Sequence, residues 1–135
     1  MPRRFTCDGA GVSPPLEWSG TPSGTRELVL VVQDPDAPGG TFVHWTLFGM
    51  GAQTAALREG AVPAGASQGQ NSTGGDGWTG PGPPKGDDAH RYDFVLYALR
   101  DASGLQPGAK PAAVRAAVGR GALGSGRLEA RYARR

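Results

Sequence analysis

The chain has 135 residues, so a single domain is predicted over residues 1–135. Its formal net charge is only +2 without a dense basic run, which argues against nucleic acid as a partner. Cys7 is the sole cysteine, so no disulfide can form within the chain. The 23 glycines and 12 prolines are many, but the apolar stretches are compact, aromatic and β-branched. This composition indicates a loop-rich β protein rather than a disordered chain.

The N-terminus gives an expectation about location. The arginine pair at residues 3 and 4 leads into polar sequence, with no apolar region typical of an export signal. No apolar run approaches membrane-spanning length. Together these features predict a cytoplasmic protein without integral membrane association.

Four segments between residues 16 and 99 are predicted as strands. Alternation over residues 16–18 predicts a short strand, and the continuous apolar run 28–32 predicts a strand buried on both faces. Residues 92–99 alternate with period two and give the clearest strand. Residues 42–48 form another, whose predicted faces are Phe42, His44, Thr46 and Phe48 on one side and Val43, Trp45 and Leu47 on the other.

Turn residues and helix-capping residues indicate the structure of the rest of the chain. Residues 49–88 are mostly small and polar, and a loop this long is either functional or disordered. Pro111 suits a first helical position, an Ala-rich segment follows over residues 112–118, and Gly119 is a plausible stop. Residues 128–132 could form a closing strand. The sum predicts a mostly β protein with one late helix.

Polar residues at strand ends are the candidates for chemistry. The only two histidines, His44 and His90, each stand beside a strand and near a Gly/Pro-rich loop, and Asp34 and Asp36 end another strand. If these strands are neighbours, the group could bind an anion, bind a metal or act in acid–base chemistry. For an anion, imidazole N–H groups donate, a carboxylate orients one ring, and backbone N–H groups of loop 80–86 and the Tyr92 hydroxyl can complete the site.

Each of these residues also has an ordinary structural interpretation. A strand histidine such as His44 is more often packed and hydrogen-bonded than a ligand, and Asp34 before a proline is more often a turn former. Tryptophans such as Trp45 and Trp78 more often pack in the core or under a loop than contact a ligand. Cys7 has little in its sequence surroundings to lower the pKa of its thiol and make it reactive. The residues alone therefore leave anion, metal, acid–base and structural roles open.

Four motifs in order resemble a known family. They are Asp34-Pro35-Asp36-Ala37-Pro38, His44-Trp45, the loop Gly80-Pro81-Gly82-Pro83-Pro84-Lys85-Gly86, and His90-Arg91-Tyr92. The chain resembles phosphatidylethanolamine-binding proteins in these four motifs. It also resembles them in the opening segments 5–9 and 13–18 and in a late helix followed by Leu128 and Tyr132. It is most similar to their bacterial, Raf kinase inhibitor-like branch, and the resemblance covers nearly the whole chain.

The resemblance implies a β-sandwich-like fold with a C-terminal helix and a small surface pocket. Such pockets take phosphate, acetate or a phosphoethanolamine head group, without a metal or other cofactor. Carried over by motif, the pocket wall would be Asp34, His44, Gly82, His90 and Tyr92. Pro38 and Pro83 would shape the loops, and Asp36 would support them.

Three departures from the bacterial pattern bear on the pocket rim. That branch often has Cys where Gly82 stands, Tyr where Trp78 stands, and His where Arg120 stands. None of these removes a residue of the predicted wall, but they leave the rim shape and ligand preference open.

Three functions are weighed from this sequence. The leading prediction is a binding protein for small phosphate-like or carboxylate anions, with a regulatory role as an extension. The alternative is a protein-interaction regulator of kinases or proteases in which the pocket is only a switch, by analogy with family members. An enzyme is not predicted, because there is no serine nucleophile motif and the spacing of Asp34, His44 and His90 follows no familiar metal pattern. The resemblance also makes a homodimer plausible without indicating its interface, and no protein partner is identified.

Overall fold

A five-stranded antiparallel sheet forms the centre of the protein in the computed structural model, which describes residues 1–134. The strands are β1 (Leu16–Glu17), β2 (Glu27–Asp34), β3 (Phe42–Met50), β4 (Ala56–Leu57), β5 (Ser67–Gln68), β6 (His90–Leu99) and β7 (Ala122–Tyr132), with a 3-10 turn at Arg3–Phe5 and helix α1 at Pro111–Val118. The main sheet has the order β5-β3-β2-β6-β7, and β1 pairs with β4 in a second, two-stranded sheet.

Both faces of the main sheet are covered, because its central strand β2 is apolar on both sides. Leu28, Leu30 and Val32 face a core that Leu57 of the small sheet joins. Val29 faces a second core, which Val114 of α1 closes. The strand buried on both faces and the mostly β sandwich with a late helix are therefore confirmed. The helix is followed by β7, which is the last element of the described residues.

Strand β3 differs from its predicted pattern because it contains a bulge at His44. Val32 pairs with Trp45, but the next residue of β2, Gln33, pairs with Val43, so His44 is the extra residue. Consequently His44 lies on the same face as Trp45, and Val43 lies on the helix face near Val114. The predicted grouping of His44 with Thr46 and Phe48, and of Val43 with Trp45, was wrong.

Other boundaries extend the predicted ones. Strand β7 spans eleven residues where only 128–132 were predicted, and segment 49–88 contains β4 and β5. Helix α1 begins at Pro111 as predicted and buries Val114 and Ala117. Gly119 ends it with a right-handed φ of −73°, so glycine's access to the left-handed region is not what stops this helix. In the part of the chain that the structure describes, no helix is both long and apolar enough to cross a membrane.

Candidate functional site

A cavity of about 290 Å³ opens at one end of the main sheet. Because the strands are antiparallel, the end of β2 lies beside the starts of β3 and β6, and loop 79–84 closes over them. The cavity is lined by all five predicted wall residues, Asp34, His44, Gly82, His90 and Tyr92, and by both loop prolines, Pro38 and Pro83. Residues separated by up to 58 positions thus come together in one pocket.

The His90 ring is held between two carboxylates. Its Nδ1 lies 2.7 Å from Oδ2 of buried Asp34, and its Nε2 lies 3.2 Å from Oδ2 of Asp87 on the exposed side. Ionised carboxylates only accept hydrogen bonds, so a carboxylate at each ring nitrogen favours the imidazolium form, in which both nitrogens donate. Burial lowers the pKa of His90, but the hydrogen bonds and charges of Asp34 and Asp87 outweigh it, and the pKa is raised above the ordinary value.

The His44 ring differs from His90 in its hydrogen bonds and in the direction of its pKa shift. Its Nδ1 lies 2.7 Å from the carbonyl oxygen of Thr79, so this nitrogen carries the hydrogen and donates. Burial lowers the pKa of His44, against smaller opposing effects of Thr79 and Asp34, and the neutral ring is favoured. Since His44 lines the cavity and Nε2 has no protein partner within residues 1–134, this nitrogen presents its lone pair to the cavity.

The hydroxyl of Tyr92 is buried without a partner. The residue is only 1% exposed, lines the cavity and packs edge-on against His44 with ring centroids 5.4 Å apart. Its hydroxyl makes no hydrogen bond in the described residues. Burial and the nearby charge of Asp34 raise the pKa of Tyr92, so the group stays protonated and is an available donor.

Asp36 lies outside the cavity and fixes the loop that follows β2. Its carboxylate accepts from the backbone N–H of Arg91 at 2.9 Å and from the Arg91 guanidinium at 3.0 Å, on two atoms. These hydrogen bonds lower the pKa of Asp36 to about 2. Asp36, predicted as a supporting residue, thus joins the loop to the start of β6 beside His90.

Several residues at the site were not predicted. Asp87 stands in the loop three residues before His90, and Thr79 contributes only a carbonyl oxygen, for which side-chain chemistry gives no signal. Cys7 is also close: a Cβ built on Gly82 would lie 3.0 Å from its Sγ. Its thiol therefore borders position 82, where the bacterial branch often carries a cysteine.

The cavity offers hydrogen-bond donors beside a His90 ring that is paired with the carboxylates of Asp34 and Asp87. Tyr92 offers an O–H, Gly82 has a backbone N–H without a backbone partner, and the His90 imidazolium lies alongside. Within residues 1–134, no group of three or more His, Cys, Asp or Glu side chains is placed to hold a metal ion. Fold and site together define a β-sandwich protein with a small pocket at one end of its main sheet, in which a few polar groups stand among apolar side chains.

Comparison with known proteins gives the family. The sequence profile of the family "phosphatidylethanolamine-binding protein" matches residues 1–133, and the chain belongs to this family. The resemblance drawn from the motifs is thereby confirmed.

Two solved structures share the fold over nearly the whole chain. A phosphatidylethanolamine-binding protein homologue from Chlamydia trachomatis, CT736, has a TM-score of 0.91 at 33% identity and aligns with 99% of this chain and 89% of its own. Escherichia coli YbcL has a TM-score of 0.90 at 34% identity, covering 97% and 85%.

Relatives known by sequence differ in length. A UPF0098 protein of Methanothermobacter thermautotrophicus is 41% identical, and the match covers 99% of this chain and 91% of the relative. A Mycobacterium tuberculosis protein with the provisional name lipoprotein LppC is 44% identical over 95% of this chain. The match spans only 63% of that relative's length, so the relative contains further sequence.

Proposed function

We propose that the protein binds small molecules carrying a phosphate-like or carboxylate group, such as a phosphoethanolamine-type head group, in this pocket. The observation that carries the proposal is the Tyr92 hydroxyl, which is buried in the cavity without a partner. A buried hydroxyl left unpaired costs about 1–3 kcal/mol, so such groups in folded proteins usually have a partner. An anionic oxygen in the cavity would accept this hydrogen bond.

The other groups of the pocket suit the same ligand. The backbone N–H of Gly82 can donate to a second oxygen. His90 contributes no free N–H, because its two ring nitrogens are paired with Asp34 and Asp87, and it instead holds the Asp34 carboxylate in place beside the cavity. His44 Nε2 accepts from a protonated ligand oxygen, or donates if the ring takes up a proton. The name of the family, phosphatidylethanolamine-binding protein, supports a phosphate-bearing ligand. These roles are binding roles and require no chemical step.

Titration of labelled protein with phosphate and with phosphoethanolamine tests the proposal. The imidazole resonances of His44 and His90, followed by NMR, are expected to shift together and saturate, since both rings line one cavity. The variant His44→Ala should weaken binding, whereas His90 in that variant should keep its contact with Asp34. If neither resonance moves at millimolar concentrations of either compound, the proposal is wrong and a role in protein interaction takes its place.

The proposal includes a cytoplasmic location and a regulatory role in which ligand occupancy is the signal. A relative that carries the name of a lipoprotein makes the location worth testing directly. Cell fractionation of the native host should recover the protein in the cytoplasmic fraction, and recovery with membranes would contradict this part of the proposal.

A further inference from the structure

A second cavity lies between helix α1 and the main sheet. Its volume is about 210 Å³, several times the roughly 30 Å³ that one water molecule occupies in the liquid. It is on the sheet face opposite the pocket of Tyr92, because the bulge in β3 turns Val43 towards α1 and His44 towards the pocket. We call it the helix-side cavity; strands β2, β3 and β6 form its floor and α1 forms its roof.

Four polar side chains of the helix-side cavity have no hydrogen-bond or ion-pair partner within residues 1–134. They are Gln33 of β2, Thr46 of β3, Tyr97 of β6 and Arg115 of α1. Thr46 is only 1% exposed, and leaving a buried hydroxyl unpaired costs free energy, so such groups usually have a partner. The cavity therefore brings together unused polar groups from four elements, as ligand-binding sites do.

The remaining lining limits the charge and shape of a ligand. Val31 and Val43 line the sheet side, and Val114 and Val118 line the helix side. Arg115 is always protonated and is exposed, so its positive charge stands at the solvent edge of the cavity. No aspartate or glutamate is among the described residues that line the cavity. An apolar body with a single negative charge is complementary to this lining.

We propose that the helix-side cavity binds a small aliphatic carboxylate. The Arg115 guanidinium can donate two parallel N–H bonds to the carboxylate, and the Tyr97 hydroxyl and the Gln33 amide can donate others. Thr46 Oγ1 lies beside Gly69, and rotation about χ1 brings it round to the cavity. The chain of the acid packs against the valines. The volume is below that of pockets for drug-sized ligands, which limits the chain to about five carbons.

A carboxylate suits this cavity better than a phosphate group. One guanidinium matches one negative charge, whereas a phosphate dianion would leave charge uncompensated between the valines. The site is also independent of the pocket described above. Gln33 and Asp34 are neighbours in β2 but line different cavities, as do Val43 and His44 in β3. A carboxylate here and an anion beside Tyr92 can therefore be bound at the same time.

Titration of methyl-labelled protein with isovalerate, a branched acid of this size, tests the proposal. The methyl resonances of Val114 and Val118 are expected to shift and saturate in NMR spectra, also when phosphate is present in excess. Isovaleramide has the same chain without the charge and should bind more weakly. Valine resonances that do not move at tens of millimolar, shifts confined to the imidazoles of His44 and His90, or equal binding of the amide would overturn the proposal.

A matched pair of variants tests the part played by charge. Arg115→Gln should weaken isovalerate binding roughly fivefold, because a charge-assisted hydrogen bond at a partly solvated site is lost. Arg100→Gln makes the same change at an exposed arginine that does not line the cavity, and should bind as wild type. Equal losses in the two variants would show that isovalerate responds only to overall charge, and the proposal would be wrong.

The two hydroxyls are tested by variants that keep the shape of the side chain. Thr46→Val and Tyr97→Phe should each weaken isovalerate binding by roughly threefold, since each removes one neutral hydrogen bond to the ligand. Urea unfolding should show no loss of stability in Thr46→Val, because its hydroxyl has no partner in the free protein. If both variants bind isovalerate as tightly as wild type, the acid does not lie in the helix-side cavity.

Discussion

Tyr92 and His90 are buried in the same pocket, but their polar atoms are satisfied to very different degrees. His90 has a carboxylate on each ring nitrogen, and these partners hold its pKa above the ordinary value despite burial. Tyr92 has no partner for its hydroxyl. The first arrangement fixes a charge in place, and the second leaves a donor ready for a ligand.

Removing the unpaired hydroxyl should separate stability from binding. In Tyr92→Phe we expect the free energy of unfolding to stay within about 1 kcal/mol of wild type or to rise, because no hydrogen bond is lost. Affinity for phosphate should fall about tenfold, which corresponds to about 1.4 kcal/mol. Urea unfolding and phosphate titration measure the two quantities. A large loss of stability with unchanged affinity would show that the hydroxyl has a structural partner instead.

The exposed carboxylate of Asp87 should set part of the His90 titration. In Asp87→Asn the pKa of His90 is expected to fall, because a charged acceptor at Nε2 is replaced by a neutral amide while Asp34 remains. Asp88→Asn removes the same charge from the neighbouring residue, for which the structure gives no contact with His90, and should shift the pKa much less. NMR titration of the His90 ring measures both. Equal shifts in the two variants would mean that only long-range charge matters.

At the scale of elements, the predictability of each strand follows from its composition. β2 and β6 carry apolar runs or strict alternation, so their existence and faces could be predicted. The first half of β7 contains Gly124, Ser125 and Gly126, and β4 and β5 have two residues each, so no periodic signal marks them. β4, β5 and the first half of β7 form because pairing with neighbouring strands outweighs local sequence preference.

The bulge in β3 shows why the pocket could be predicted only in part. Alternation assigns a side chain to a face, but one inserted residue reverses that assignment, and the local sequence does not mark the insertion. The residues alone indicated that Asp34, His44 and His90 could converge, and the family motifs supplied Gly82 and Tyr92. Asp87 belongs to neither pattern, since its contact depends on the path of the loop before β6.

Loop 79–84 depends on close packing against the N-terminal segment. A Cβ on Gly80 would lie 2.9 Å from the carbonyl oxygen of Phe5 and 3.1 Å from the backbone nitrogen of Cys7. Gly80→Ala should therefore lower the free energy of unfolding by about 1–3 kcal/mol, since backbone must move. Gly82→Ala meets only the Cys7 side chain, which is exposed and can rotate, and should be milder. Urea unfolding compares the two, and equal losses would contradict this account.

At the scale of the whole molecule, both chain ends meet beside the pocket loop. The Trp78 indole donates to the Phe5 carbonyl at 3.1 Å, and the Cys7 N–H donates to the Pro81 carbonyl at 3.0 Å. The Tyr132 hydroxyl donates to Asp8 at 2.5 Å and joins β7 to the same segment. These contacts span 73 to 124 positions of sequence, so no local pattern could predict them, although they position the loop that closes the cavity.

This long-range assembly means that a ligand in the pocket should stabilise the entire fold. A ligand that binds only the folded protein, at 100 times its Kd, adds about 2.7 kcal/mol, which for a chain of this size raises Tm by roughly 10 °C. The pH dependence of sulfate binding should report on His44. Sulfate carries no proton at neutral pH, so the neutral His44 ring must take up a proton before its Nε2 can donate to a sulfate oxygen. Because burial keeps the pKa of His44 below its ordinary value, sulfate affinity should fall by up to about tenfold per pH unit between pH 6 and 8.

Calorimetry at pH 6, 7 and 8, with and without sulfate at constant ionic strength, measures this dependence as a difference in Tm. The sulfate-induced rise should shrink as pH increases, and the rise with phosphate should shrink less, because phosphate can supply the proton itself. His44→Gln places a side-chain amide that does not titrate at this position, so its sulfate profile should be clearly flatter than that of wild type, with any remaining slope due to His90. A wild-type rise that is independent of pH, or a His44→Gln profile as steep as that of wild type, would show that the proton is taken up elsewhere or that no anion binds at His44.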